Sequence, residues 1–357
     1  NCLIVVFLTV TCFGKTPSSP KYSVPESLWP ESFGNHRAVL EISKTTEVAS
    51  LDILWRRHDS KPEDKRFIIV EALSGDTIQN IYRYNVSNEQ CKIAFGPVKR
   101  AGTYYFYYLP YEVQQNWGFY GKDYLKPEKA PSKEWVSKHK VDKTFRIKNS
   151  QPASLSGFQS RSAFDSFYPM EVIALSSEKK MLLEKYNSDY LIFPEDRSFP
   201  IRMKDEIPLR WIEKGPSHKF TGEACRNEYY VLQLGVYASK EGLENVRAEF
   251  SDFVGTNSKI PSSNITCFNT GGVGPYGKPF EKRVDILKNA VQPFWIGIDI
   301  PEDISSGTYS GSITIHPENA VSQTVEVIIK VNNKTLADRG DSETWRHSRL
   351  RWLNSTL

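Results

Sequence analysis

Two stretches of strict alternation constrain this chain more than anything else in it. In Val291–Pro301, Phe294, Ile296, Ile298 and Ile300 alternate with Trp295, Gly297 and Asp299. In Ser306–Ile315, Tyr309, Gly311, Ile313 and Ile315 alternate with Thr308, Ser310, Ser312 and Thr314. Successive side chains of a strand point to opposite faces, so a period of two buries one set and turns the other to solvent. Together with Glu228–Ala238 and Val246–Phe250, these segments read as consecutive strands of one sandwich between Gly222 and Val331.

The first half has the same character. Leu51, Ile53 and Trp55 alternate, Phe67–Leu73 is a short apolar run, and Gly102–Leu109 (GTYYFYYL) is strongly strand-forming. Gly75-Asp76 and Gly96-Pro97 read as turns. Ser132 is placed to cap a short helix through Trp135 to His139, Glu178–Tyr186 is a second helix candidate behind Ser176-Ser177, and Ile201–Ile212 looks like a strand pair. The expected fold is all-β, two sandwiches in tandem with a few short helices. Its parts are a clipped signal peptide over residues 1–14, a Pro/Ser-rich linker over 15–33, a first sandwich over 34–210 and a second over 211–333. Residues 334–357, with Trp345, Arg346, Arg349, Arg351 and Trp352, read as the start of a further domain.

The apolar run Cys2–Phe13 has the length of a signal h-region and is too short to span a bilayer, with Gly14 as the small residue before cleavage. Secretion is therefore expected, with a lipid anchor at Cys12 as the alternative. Once a leader is removed, Cys91, Cys225 and Cys267 remain, an odd set. Cys225 and Cys267 share the second sandwich and could pair, or all three could be buried thiols. Asn85, Asn264, Asn333 and Asn354 begin N-x-Ser/Thr sequons and so could carry glycans in a host that adds them.

A net charge of +4, dispersed over 357 residues with no basic block, argues against nucleic acid as a partner. The six His form no metal or triad arrangement, no GxSxG, P-loop or dinucleotide motif occurs, and no cofactor is expected. Gly271-Gly272-Val273-Gly274 has no helix behind it to make an anion site. Arg339-Gly340-Asp341 matches an integrin-type tripeptide, too short a match to weigh. The acidic neighbours Glu63-Asp64, Glu195-Asp196, Asp205-Glu206 and Glu302-Asp303 read as solvated turns, whereas a glycosidase needs carboxyl groups held across one sugar, one with a raised pKa. No catalytic residue is assigned. The run Tyr104–Tyr108 reads as a strand filling both sandwich faces. Trp117, Phe119, Tyr120 and Tyr124, in a Gly-containing segment, are the candidate glycan contacts, because aromatic faces stack on the C–H faces of sugars.

Several segments resemble a known family. Asn227–Ala238 with Leu243–Val246, then Val291–Trp295 with Ile300-Pro301 and Gly307–Gly311, look like opening and closing strands of the N-terminal sandwich of glycoside hydrolase family 123-like proteins. Phe167–Val172, Phe193–Arg197 and Leu350–Ser355 resemble large secreted, glycoside-hydrolase-like proteins that share this sandwich. The resemblance implies that chemistry lies in a downstream (β/α)-barrel. There an Asp-Glu pair works with the substrate's own 2-acetamido group, a substrate-assisted exception to the two-carboxylate scheme. Asp205-Glu206 matches that pair in letters but follows no buried barrel strand, so the role is not carried over. The expected function is that of a non-catalytic sandwich region, supporting a downstream catalytic domain of the same polypeptide and contacting glycan. The alternative is a cell-surface carbohydrate-binding or adhesion protein without hydrolase activity.

Overall fold

The computed structural model describes residues 21–116, 119–166 and 169–340. The leader expected over residues 1–14, Trp117, and Asn354 with the rest of 341–357 lie outside these residues. The chain is strand-dominated and divides into two compact units. One comprises residues 1–54 and 61–166, the other residues 55–60 and 167–357. The all-β expectation holds. No helix among the described residues is long and apolar enough to cross a membrane.

Two sheets build the first unit. One has the order Tyr22–Ser23, Ser154–Ser160, His36–Ile42, Gly102–Tyr107, Ile68–Glu71, and the other Gln151–Pro152, Ala49–Leu54, Gln90–Gly96, Asn80–Val86. Alternation sorts the buried side chains of these strands. Ala38, Leu40 and Ile42 are buried along one strand, Tyr104 and Phe106 along its neighbour, and Leu51, Ile53, Ile93 and Phe95 in the other sheet. The first sheet is apolar on its second face too, where Trp29 and Phe33 pack on Ile68, Val70, Tyr105 and Tyr107. The Arg37 guanidinium lies between the Trp29 and Tyr105 rings, 4.3 and 3.6 Å from their centroids, and donates to Tyr107 Oη at 3.0 Å. The expected linker over 15–33 is therefore partly structural. Tyr22–Ser23 adds a parallel edge strand beside Phe158-Gln159, and Trp29 is buried because Tyr105 and Tyr107 need cover.

The second unit is a sandwich of a four-stranded sheet (Tyr190–Asp196, Tyr229–Ala238, Val291–Asp299, Ile265–Cys267) and a larger sheet. The larger one runs Lys219–Arg226, Gln323–Thr335, Gly307–His316, Phe253–Val254, Lys259–Ile260. Phe294, Ile296, Ile298, Tyr309, Ile313 and Ile315 all enter one core, as alternation requires. The second sheet gains its tight inner packing at Gly311, where an added Cβ would lie 1.9 Å from Phe253 Cδ1.

A helical layer covers part of the four-stranded sheet's outer face. Leu191, Phe193, Tyr237 and Val291 from the strands meet Leu182, Ile201, Ile207 and Trp211. Trp211 stacks on Phe193 with centroids 4.3 Å apart and lies over Gly235, where a Cβ would come within 2.4 Å of its ring. This layer shifts two expectations. Ile201–Ile212 is not a strand pair, because its end forms the helix Leu209–Lys214 behind Pro208. The division between units falls at residues 166/167 rather than near 210, because Tyr190–Asp196 pairs with Tyr229–Ala238 along its whole length.

Both expected helices form. Ser132 Oγ accepts from the Trp135 N–H, capping Lys133–His139. In Ser176–Tyr186 the Glu178 carboxylate reaches back to the Leu175 N–H at 2.8 Å. It also takes both arms of the Arg56 guanidinium, at 2.7 and 2.8 Å. Arg56 belongs to the short excursion Trp55–Ser60, which joins the second unit. Burial pushes the Glu178 carboxyl up, but Arg56 and the Leu175 N–H outweigh it and hold the group below its ordinary value. A folded value below the unfolded one contributes stability above the unfolded value and loses it as pH falls through the folded value. Glu178→Gln should thus lower stability by about 1.5–3 kcal/mol at neutral pH, the range for charged hydrogen bonds. The gap should close on acidification below the ordinary carboxyl value of 4.5. Thermal melts of both proteins from neutral pH into acid check this, and a gap independent of pH would contradict it.

Candidate functional site

The expected glycan contacts fall on a two-stranded hairpin of the first unit, Tyr111–Asn116 paired with Phe119–Tyr124. Phe119 and Tyr120 lie in its second strand, Trp117 lies outside the described residues, and Tyr124 stands opposite Tyr111 at the hairpin's base. That base is tied down by Leu125 N–H donating to Pro110 O at 2.9 Å and Arg66 N–H donating to Leu125 O at 2.8 Å. Tyr111 is buried, whereas Tyr124 is 47% exposed. The two rings meet edge to face with centroids 6.5 Å apart.

Each ring also carries a cation. Lys65 Nζ lies 4.6 Å from the Tyr124 centroid and Lys122 Nζ 4.3 Å from that of Tyr111. Tyr111 Oη donates to Glu31 Oε1 at 2.8 Å. Burial raises the Tyr111 phenol, and its hydrogen bond to Lys122 raises the Lys122 ammonium, so both keep their protons at neutral pH. The result is a half-exposed aromatic ring with the buried Lys65 ammonium over it and the exposed Lys122 ammonium and Glu31 carboxylate close to the hairpin's base. Such a set can take a pyranose C–H face on the ring and its hydroxyls on the charged rim. Lys65, Lys122 and Glu31 were not singled out from sequence. Lys65 and Glu31 come from distant segments, so only pairing brings them to the hairpin, and nothing set Lys122 apart within it.

Two concave regions flank other parts of the units. In the first, a cavity of about 450 Å³ is lined by Glu71, Asp76, Asn80, Pro97, Arg100 and Tyr104 among others. Its Glu71 carboxylate is already engaged by the Leu73 and Ser74 N–H groups, at 3.1 and 2.7 Å. In the second unit an open cleft of about 590 Å³ runs along the Ser176–Tyr186 helix, with Lys179, Lys240, Asp205 and Tyr237 in its walls.

The acidic pairs separate on inspection. Glu302-Asp303 is an exposed turn and Glu63-Asp64 sits in a 3-10 turn, as read. Glu206 pairs with Lys179 at 2.8 Å. Glu195-Asp196 differs from its reading as a solvated turn. Both residues lie in the strand Tyr190–Asp196, and Glu195 is 1% exposed. Its carboxylate accepts from Trp211 Nε1 at 3.0 Å and from Arg210 at 3.1 and 3.3 Å, with Lys214 Nζ at 3.5 Å. Asp196 accepts from Tyr230 Oη at 2.8 Å. These carboxylates fasten the helical layer and the sheet rather than face open space. Among the described residues no group of three His, Cys, Asp or Glu side chains could hold a metal.

Cys225 and Cys267 are not joined. They sit in strands of opposite sheets, where Cys225 Sγ receives Asn332 Nδ2 at 3.6 Å and Cys267 Sγ lies 3.4 Å from Asn269 Oδ1. Of the sequons, Asn85 and Asn333 are exposed, while Asn264 is half-buried and donates its amide to Asp299 O at 3.1 Å.

Residues 27–161 match the family model "Glycoside hydrolase 123, N-terminal domain", and residues 275–317 match "Glycoside hydrolase 123 N-terminal domain". The first match covers most of the first unit together with residues 55–60 of the second, and the other match lies within the second sandwich. The longer match thus falls ahead of the sandwich over 211–333 to which the sequence reading assigned the resemblance. The resemblance read from the sequence holds over these two segments, which are similar to N-terminal domains of glycoside hydrolase family 123. Among solved structures, it is similar to a family 123 glycoside hydrolase from Clostridium perfringens, described for its hydrolysis of glycolipid glycans. The identity is 26% over 35% of this chain and 24% of that one, with a TM-score of 0.29. The periplasmic chaperone SfaE matches at 7% identity over 34% of this chain and 57% of its own, TM-score 0.22. A PapD-like domain of human CEP192 matches at 12% over 34% and 83%, TM-score 0.20. The chain spans about a quarter of the clostridial enzyme. No curated protein sequence matches it.

Glu195→Ala would leave Arg210, Lys214 and the Trp211 N–H without their acceptor. The expected loss is about 3–5 kcal/mol, the range for removing one partner of a buried ion pair. Denaturant unfolding of the full chain measures it, and a loss under about 1 kcal/mol would contradict a fastening role for this carboxylate.

Proposed function

We propose that the chain is the non-catalytic, N-terminal sandwich region of a secreted glycoside hydrolase-like protein. In this reading it supports a catalytic barrel downstream in the same polypeptide, and the Tyr111–Tyr124 hairpin touches the glycan. The match of residues 27–161 to a family 123 N-terminal domain carries the reading. Supporting it, the buried carboxylates Glu195 and Glu228 are engaged in ion pairs with Arg210 and Arg197, which leaves them unsuited to acid–base work on a sugar. The half-exposed Tyr124, with Lys65 over its ring, supports the glycan contact, to which Trp117, Phe119 and Tyr120 belong by sequence position. Export rests on the apolar leader, and glycans at Asn85 and Asn333 on their exposure.

The full-length protein should release sugar from aryl N-acetylhexosaminides or complex glycans. Trp117→Ala with Tyr124→Ala should weaken oligosaccharide binding by about tenfold or more, since burying apolar ring and C–H surface is worth about 25 cal/mol per Å² removed from water. Calorimetric titration with N-acetylhexosaminide oligosaccharides measures this. Unchanged binding would remove the hairpin from the proposal. Glycan binding retained with no turnover by the full-length protein over a broad panel would favour an adhesion protein instead.

A further inference from the structure

In the first unit the chain crosses twice between the two sheets, and the crossovers wall a cavity. Residues 72–79 lead from Ile68–Glu71 in one sheet to Asn80–Val86 in the other. Residues 97–101 lead back from Gln90–Gly96 to Gly102–Tyr107. The cavity of about 450 Å³ between them falls within the range of about 300–1,000 Å³ usual for small-molecule sites. Connections of this kind, positioned by rigid sheets, are where binding groups collect.

The walls are braced without the side chains that matter most here. The Glu71 N–H donates to Asp76 O at 2.9 Å and the Gly75 N–H to Glu71 O at 3.0 Å, closing the first crossover on itself. Asn80 ties it to the second, since its Nδ2 donates to Gly96 O at 3.3 Å while its Oδ1 accepts from the Ser132 N–H at 2.9 Å. Tyr104, 1% exposed, donates its hydroxyl to Arg100 O at 2.9 Å and so fixes the end of the second crossover. These bonds use the Arg100 backbone and leave its side chain, 57% exposed, outside the bracing. A site held in this way is formed before any ligand arrives, which lowers the cost of binding.

What the bracing leaves over suits a sugar. The Glu71 side chain, 7% exposed, gives one oxygen to the Leu73 N–H and the other to the Ser74 N–H. A carboxylate has about four acceptor positions, so each oxygen keeps a further one. Arg100 Nη1 stands 3.9 Å from Glu71 Oε2, too far for a direct hydrogen bond. A hydroxyl set against both groups accepts from the guanidinium and donates to the carboxylate, which a one-way donor or acceptor cannot do. Ile78 and Pro97, both half-buried, give the wall an apolar part for a C–H face. The lining holds two carboxylates, Glu71 and Asp76, and two cations, Lys99 and Arg100, so it carries no net charge and favours an uncharged ligand. We propose that this cavity binds one pyranose unit of a neutral sugar, a hydroxyl bridging Arg100 and Glu71 and the C–H face lying on Ile78 and Pro97. The proposal rests on the glycan-handling reading above and adds a second contact in the same unit.

Titration of the full chain with glucose, galactose, N-acetylglucosamine and N-acetylgalactosamine, followed by the isotope-labelled methyl signal of Ile78, tests this. At least one of these sugars should shift that signal saturably, with a dissociation constant on the order of 1 mM. Arg100→Ala should weaken the binding by about tenfold or more, as the loss of one charged hydrogen bond implies. Its melting temperature should stay nearly unchanged, because an exposed guanidinium at this distance stabilises the fold little. The hairpin pair Trp117→Ala with Tyr124→Ala should leave the Ile78 shift as it is, which separates the cavity from the hairpin contact. No saturable Ile78 shift with any of these sugars would overturn the inference. Oligosaccharide binding that persisted at the hairpin in that case would leave the glycan reading standing, and its loss there as well would remove both. A shift unaffected by Arg100→Ala would also overturn it, as would one lost in the hairpin variants. So would a shift given only by N-acetylneuraminate, which would assign the cavity to an acidic sugar.

Discussion

The second unit depends on one strand pair, Tyr229–Ala238 against Val291–Asp299, in unbroken antiparallel register from Tyr229↔Asp299 to Tyr237↔Val291. These strands are central, so each face of each must be satisfied. Inward, Leu232, Leu234, Phe294, Ile296 and Ile298 fill the sandwich core. Outward, the sheet solves the same problem twice by removing a side chain and laying an aromatic ring on the gap, at Gly235 with Trp211 and at Gly297 with Tyr229 and Phe268. A one-residue slip would invert every face at once, and for that reason the register is strongly specified.

That pair also explains what was legible in the sequence. Alternation in Val291–Pro301 and Ser306–Ile315 is a direct imprint of the pleat, so these strands and their buried sets could be read residue by residue. Ser132 announced its helix through local capping chemistry, whereas Ser176-Ser177, read as caps of the second helix, are its first residues, and the group that reaches back is the Glu178 carboxylate. Ile201–Ile212 did not read correctly, because a six-residue helix has too little periodicity to declare itself and Trp211 is placed by Gly235 and Phe193, residues far along the chain. Glu195-Asp196 looked like a turn because adjacent acids usually are solvated. The compensating Arg210, Trp211 N–H and Lys214 reach Glu195 only through the packing of the helix on the sheet. The cover supplied by Trp29 and Phe33 was hidden for a similar reason, in a Pro/Ser-rich stretch whose composition says linker.

At the candidate site, the aromatic residues were visible in the sequence but their partners were not. Tyr124 is defined as much by Lys65 and Tyr111 as by itself, and the hairpin that joins them exists because Tyr111–Asn116 and Phe119–Tyr124 pair with one another. The family match adds a level that geometry alone does not supply. It ties two segments of the chain to glycoside hydrolase family 123 N-terminal domains, one in the first half and one in the sandwich that alternation brought out.

The central claim is that this sandwich region accompanies chemistry without performing it. Its most direct test is turnover of an aryl N-acetylhexosaminide by the purified 357-residue chain alone, followed by release of the aryl chromophore. The account predicts a rate indistinguishable from buffer. Saturable release that disappears on substituting a carboxylate such as Glu195 or Asp205 by its amide would contradict it.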